Sequence, residues 1–160
     1  DEDGRTAARG RVDDVLLAAL MQDPYFAQSP PKSTGLEHFN REWLAAALGG
    51  RKLKAEDLLA TLAQLTALTV GEAIHEYAPG ARHVYICGGG AHNTHLMACL
   101  AAQLPGTRLE STAVLGIHPD WVEAAGFAWL ARETLAGRPG NLPSVTGSAR
   151  STILGAIYPV

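Results

Sequence analysis

Cys87-Gly88-Gly89-Gly90-Ala91-His92-Asn93 is the stretch where the main chain itself could do chemistry. Three glycines after an apolar run and before a helical one let a ligand approach the backbone, because no Cβ stands in the way. A helix beginning just beyond would present free N–H groups and a positive dipole end, which suit a phosphate or an adenosine. Asn93 falls near the N-cap, where its side chain can satisfy one such N–H. Gly88, Gly89, Gly90 and Asn93 are therefore candidate nucleotide-binding residues. A tight strand-to-helix turn without a ligand would use the same residues. A dinucleotide fingerprint is met in part: Gly88 and Gly90 fit and Glu110 follows about 20 residues on, but Asn93 stands where a glycine is required.

A second constellation is Gly116-Ile117-His118-Pro119-Asp120-Trp121-Val122-Glu123. Pro119 suits the first position of a helix. Asp120 and Glu123 then share a face of the first turn, where the dipole favours their ionised forms. Paired carboxylates there can accept hydrogen bonds from sugar hydroxyls, although position alone favours plain charge complementation of the helix end. The third is Pro30-Pro31-Lys32-Ser33-Thr34-Gly35, a stiff polar loop with a cation and two hydroxyls. It fits the mouth of a substrate site and a capped connector equally well. His92 and His95 have no second ligand pair for zinc, because Cys87 and Cys99 are not spaced to supply one. Residues 26–31 lack the glycines of a phosphate-binding P-loop, and no Gly-x-Ser-x-Gly elbow is present.

These residues need elements to hold them. Apolar spacing predicts helices over 12–21, 36–48, 55–77, 94–104 and 119–135, stopped by Pro24, Gly49-Gly50, Pro79-Gly80, Pro105-Gly106 and Gly137. Gly71 weakens the longest by about 1 kcal/mol relative to Ala. Residues 83–87 and 107–111 read as strands, the first of them buried. Residues 1–11 read as a polar loop or linker, 137–147 as loop, and 151–158 as a short helix or strand. One strand–helix–strand unit results, parallel and with a right-handed crossover. Two strands make a poor sheet, so further strands are expected from residues outside this chain.

Composition narrows the classes. At 160 residues, 47% hydrophobic and 18% charged, the chain is long enough for one domain with a real core and too apolar for disorder. A net charge of −3 argues against a general nucleic-acid binder. No uninterrupted apolar run of membrane-spanning length is evident, and residues 1–5 do not form a signal peptide. Cys87 and Cys99 read as buried, reduced thiols.

Taken in order, the motifs resemble the anhydro-N-acetylmuramic acid kinases. The resemblance rests on Asp23-Pro24-Tyr25-Phe26, Pro30 to Gly35, Phe39-Asn40 and Trp43-Leu44, then Cys87 to Ala91 with Asn93. Glu123-Ala124, Phe127-Ala128-Trp129-Leu130-Ala131, Asn141 to Gly147 and Leu154-Gly155 continue it, so nearly the whole chain is covered. It implies an α/β fold: the C-terminal lobe of a ribonuclease H-like, actin-like ATPase, helix-rich, with an incomplete sheet. Residues 1–160 would be the nucleotide- and sugar-binding lobe of a longer two-lobe kinase.

The resemblance further implies ATP with Mg2+ as cofactor, and phosphorylation of 1,6-anhydro-N-acetylmuramic acid with hydrolytic opening of its anhydro ring. The expected setting is cell-wall recycling in the bacterial cytoplasm, by a homodimer that uses neither nucleic acid nor membrane. Gly88, Gly89, Gly90 and Asn93 would line the nucleotide side and Glu123 would hold the sugar, with Lys32 a further substrate-side candidate. The chain departs from the family in lacking the segment Asp-Thr-Gly-Pro-Gly-Asn, whose Asp is the general base, and the glycine-rich phosphate loop of the other lobe. No catalytic residue is therefore expected within these residues, and the lobe alone should not turn over.

Overall fold

The computed structural model describes residues 1–158. Helices α1 (Asp14–Met21), α2 (Arg41–Leu48) and α3 (Ala55–Tyr77) precede strand β1 (His83–Ile86), helix α4 (Thr94–Gln103) and strand β2 (Arg108–Ser111). Helix α5 (Val122–Leu135) and the single turn α6 (Pro143–Thr146) follow. Short 3-10 turns lie at Ala7–Arg9, Gly89–His92, Thr112–Leu115 and Pro119–Trp121. The result is a helix-rich α/β arrangement around a two-stranded sheet.

Side-chain caps set the helix starts. The Asp13 carboxylate accepts from Leu16 N–H at 2.8 Å, and Arg51 grips the same carboxylate at 2.9 and 2.6 Å. Those bonds hold the Asp13 carboxyl below its ordinary range, the Arg51 bond first among them. Asn40 accepts from Trp43 N–H at 2.9 Å and begins α2 there, so residues 36–39, expected to be helical, form turns instead. Gly49, with φ of 57°, closes that helix in the left-handed conformation.

Two hydrophobic clusters sit on either half of α3. The first joins Leu16, Leu20 and Leu65, with Phe26, Trp43 and Leu44 packed against them. Fully burying such a leucine is worth about 1.5–3 kcal/mol. The second joins Ala67, Leu100 and Leu104, with Val84, Ile86 and Leu109 against them. Gly71 gives α3 its close approach to α4, since a Cβ there would stand 2.8 Å from Gln103 Cβ. By length and composition α3 could cross a membrane, which corrects the expectation that no segment qualifies. It buries Ala60, Thr61, Leu65, Ala67 and Gly71 against its neighbours.

β1 and β2 pair in parallel, His83 opposite Arg108 through Ile86 opposite Ser111, as the strand–helix–strand reading predicts. The sheet is covered on one face only. Val84 and Ile86 point into the second cluster, while His83 and Tyr85 are exposed and stack on each other. β1 is thus half-covered rather than buried, and Cys87, next on the open side, is exposed where a buried thiol was expected. Cys99 is half-buried, and burial pushes its thiol up.

Three further segments differ from their sequence reading. Residues 1–10 are not a loose linker: the Asp1 carboxylate accepts from Thr6 and Ala7 N–H, and Asp3 O accepts from Thr94 N–H at 3.2 Å. Pro143, read as a loop residue, instead starts α6, where a proline loses no helical hydrogen bond. Residues 151–158 form neither helix nor strand. Helix α5 is poorly covered: Phe127, Trp129 and Leu135 are exposed, and its one buried side chain is Glu133. Phe127, Leu130, Leu154 and Ile157 line a groove of about 600 Å³ between α5 and the tail.

Candidate functional site

The parallel register brings the residues after β1 and after β2 out at the same end of the sheet, the end at which open α/β sheets place their ligands. After β1 comes the glycine bend. Gly88 has φ of 73° and ψ of −174°, a conformation essentially reserved for glycine. A Cβ on Gly88 or Gly89 would meet nothing within 4 Å, and one on Gly90 would meet only Leu96 Cδ2 at 3.7 Å. The bend is therefore open to approach.

Its donors are distributed differently from the simplest expectation. Asn93 caps α4, accepting from Leu96 N–H at 2.9 Å, and Thr94 N–H goes to Asp3 O. The start of α4 is thus already partly satisfied. Gly89 and Gly90 open the 3-10 turn Gly89–His92, so their N–H groups have no partner within it. These two amides stand where a phosphate or adenosine could use them.

After β2 the chain makes the turn Thr112–Leu115 and then Pro119–Trp121, which runs directly into α5. Asp120 N–H is 3.4 Å from His118 Nδ1, which caps that turn. Two bonds tie it to the glycine bend. Gly88 N–H donates to Pro119 O at 2.9 Å, and His92 Nε2 lies 2.7 Å from Asp120 Oδ1. Glu123 follows Asp120 by three residues, so the two share one side of the first turn. Glu123 is exposed. A shallow groove of about 460 Å³, walled by His118, Trp121, Ala124 and Ala128, opens on the other side of α5.

Lys32 is engaged elsewhere. Its Nζ donates to Tyr25 O and Phe26 O, both at 3.1 Å, and sits 4.9 Å from the centre of the Tyr25 ring. The loop around it holds a cis Pro30–Pro31 bond, and Pro31 packs at Gly147. Glu110 pairs with Arg108 on its own strand at 3.0 Å. Among the described residues, no three His, Cys, Asp or Glu side chains converge as metal ligands.

Sequence reasoning gives no role to three features of this end of the molecule. One is the His92–Asp120 pair, whose members are 28 residues apart and meet only through the strand register. Another is the main-chain bond from Gly88 to Pro119, which carries no residue-type signal. The third is the Thr112 hydroxyl just beyond β2, buried without a hydrogen-bond partner.

Comparison with known proteins gives one consistent result. A family described as anhydro-N-acetylmuramic acid kinase matches residues 1–160. A protein of that name from Xanthomonas axonopodis pv. citri is 55% identical over 159 residues, which is 99% of this chain and 42% of the relative. Its counterpart from Xanthomonas oryzae pv. oryzae gives the same figures, and one from Coxiella burnetii is 49% identical over 158 residues, again 42% of its length. The chain therefore spans less than half the length of these relatives.

Proposed function

Because the chain belongs to the anhydro-N-acetylmuramic acid kinase family, we propose that it is the nucleotide- and sugar-binding lobe of such a kinase. The whole enzyme transfers the terminal phosphoryl group of ATP to 1,6-anhydro-N-acetylmuramic acid. Water opens the anhydro ring in the same event and leaves N-acetylmuramic acid 6-phosphate, a step in recycling bacterial cell wall in the cytoplasm. The lobe is of the ribonuclease H-like, actin-like type, and the full-length enzyme is a homodimer.

The observation that carries this reading is the open glycine bend fastened to the start of the helix that bears Glu123. In this reading the Gly89 and Gly90 amides and the space above Gly88 receive the nucleotide, and Asn93 keeps the next helix capped behind them. Glu123 accepts hydrogen bonds from the sugar. Lys32 stiffens the loop over Tyr25 and Phe26 at the edge of the substrate side. Mg2+ arrives with ATP and is held mainly by the other lobe, which also supplies the aspartate that takes a proton from the attacking water. Phosphoryl transfer depends on positioning and charge stabilisation from both sides of the cleft. The 160 residues alone consequently give no turnover.

Gly89→Ala in the full-length protein tests the site. Gly89 lies outside the left-handed region and its Cβ would enter open space, so folding is expected to be unchanged. Nucleotide binding should weaken about ten-fold or more, because a methyl group then occupies the closest approach. Parental ATP affinity in that variant would move the nucleotide away from the bend. Sugar-dependent ADP release by the isolated 160 residues would contradict the division of labour. ATP binding by the full-length protein without any sugar-dependent turnover would instead mark a nucleotide-binding module that has lost the chemistry.

A further inference from the structure

We infer that His92 and Asp120 are positioning residues that make the nucleotide side and the sugar side of this lobe respond as one unit. The inference rests on the reading just given, which places nucleotide at the bend and sugar at Glu123.

The bend and the start of α5 are separate loops from separate strands, so nothing in the chain's connectivity makes them move together. Two bonds do. The main-chain bond from Gly88 to Pro119, 2.9 Å long, fixes the beginning of the bend. The 2.7 Å contact between His92 Nε2 and Asp120 Oδ1 fixes its far end, at the last residue of the 3-10 turn. Asp120 is itself steadied by the His118 ring at its N–H. Glu123 stands one turn further on the same side. A sugar that draws on Glu123 therefore acts on a turn whose preceding residues hold both ends of the glycine bend. Thermodynamic reciprocity requires the converse: nucleotide at the bend must tighten the hold on sugar by the same factor.

Exposure sets the expected size. The side chains of His92 and Asp120 are 45% and 48% exposed, so the pair has the strength of a surface contact. Its share of the coupling is about two- to five-fold, the scale of an exposed ion pair. The Gly88–Pro119 bond survives side-chain substitution and retains the rest.

The experiment uses the full-length kinase. Binding of a non-hydrolysable ATP analogue is titrated with and without 1,6-anhydro-N-acetylmuramic acid, in the parent, His92→Ala, Asp120→Ala, the double variant and His92→Gln. In the parent the sugar should tighten the analogue. Each alanine variant should lower that factor about two- to five-fold, and the double variant should be no worse than either single, because one interaction is being removed twice. His92→Gln, which keeps an N–H to offer Asp120, should recover most of it. A purely structural role would shift the unfolding midpoint and leave the factor alone.

An unchanged factor in the alanine variants would overturn the inference, as would single-variant losses that multiply in the double variant, or no recovery in His92→Gln. A parent that binds both ligands without synergy overturns the inference and leaves the functional reading standing. A parent that binds neither ligand overturns the reading, and the inference with it.

Discussion

Asp23 Oδ2 lies 2.8 Å from Trp43 Nε1, so a carboxylate just past the end of α1 fastens the indole of α2 twenty residues away. The same oxygen meets His38 Nε2 at 2.9 Å, and the other accepts from Tyr25 N–H at 2.9 Å. Burial pushes the Asp23 carboxyl up, yet the Tyr25, His38 and Trp43 bonds together hold it below its ordinary range. Asp23→Ala should cost about 1–3 kcal/mol in urea unfolding, since it strands a half-buried indole N–H. His38→Ala, at an exposed ring, should cost under about 1 kcal/mol. Equal losses from the two would mean that the indole bond contributes nothing.

Gly71→Ala sets two effects against each other. Alanine is favoured over glycine inside a helix by about 1 kcal/mol. The new methyl would stand 2.8 Å from Gln103 Cβ, an atom that moves only with the backbone of α4. Overpacking of this kind costs about 1–3 kcal/mol, so the variant is expected to be destabilised on balance. A raised melting temperature would show that α4 yields freely.

Acid should act first through the carboxylates that the fold holds ionised. Glu133 is lowered from 4.5 to about 2, chiefly by the Arg138 guanidinium at 2.5 Å; burial opposes this and Arg132 adds to it. Its folded form binds a proton less readily than the unfolded chain does. The contribution to stability is therefore complete above pH 4.5 and is lost as pH falls from there toward about 2. Asp13 and Asp23, also lowered, act in the same direction. Glu133→Gln should flatten stability against pH in that window, and Arg138→Ala should return the Glu133 titration, followed by carboxyl NMR, toward its ordinary value. A Glu133 that titrates near 4.5 in the parent would contradict the ion pair.

Much of the fold is legible in residue types and spacing alone, and the exceptions have physical causes. Punctuation by Pro24, Gly49 and Pro79 locates the ends of α1, α2 and α3, because those residues act through their own backbone. Asn40 is harder: Leu36 and Phe39 continue a helical spacing, and only the cap bond to Trp43 N–H reveals that α2 starts later. Pro143 reads as part of a loop because its tolerance at a first helical position depends on whether the next residues go on to coil. The glycine bend stands out through residue type. The partner of His92 does not, because a contact across 28 residues depends on strand register. Lys32 illustrates a further limit, since a long flexible cation is equally suited to substrate and to its own loop carbonyls.

The open face of β1 leaves a practical opportunity. Cys87 is exposed and sits one residue before Gly88, whereas Cys99 is half-buried with a thiol made less reactive by its surroundings. Within these 160 residues a maleimide fluorophore would accordingly attach at Cys87 before Cys99. A change in its emission on adding ATP is the outcome expected if the neighbouring glycines take nucleotide as proposed.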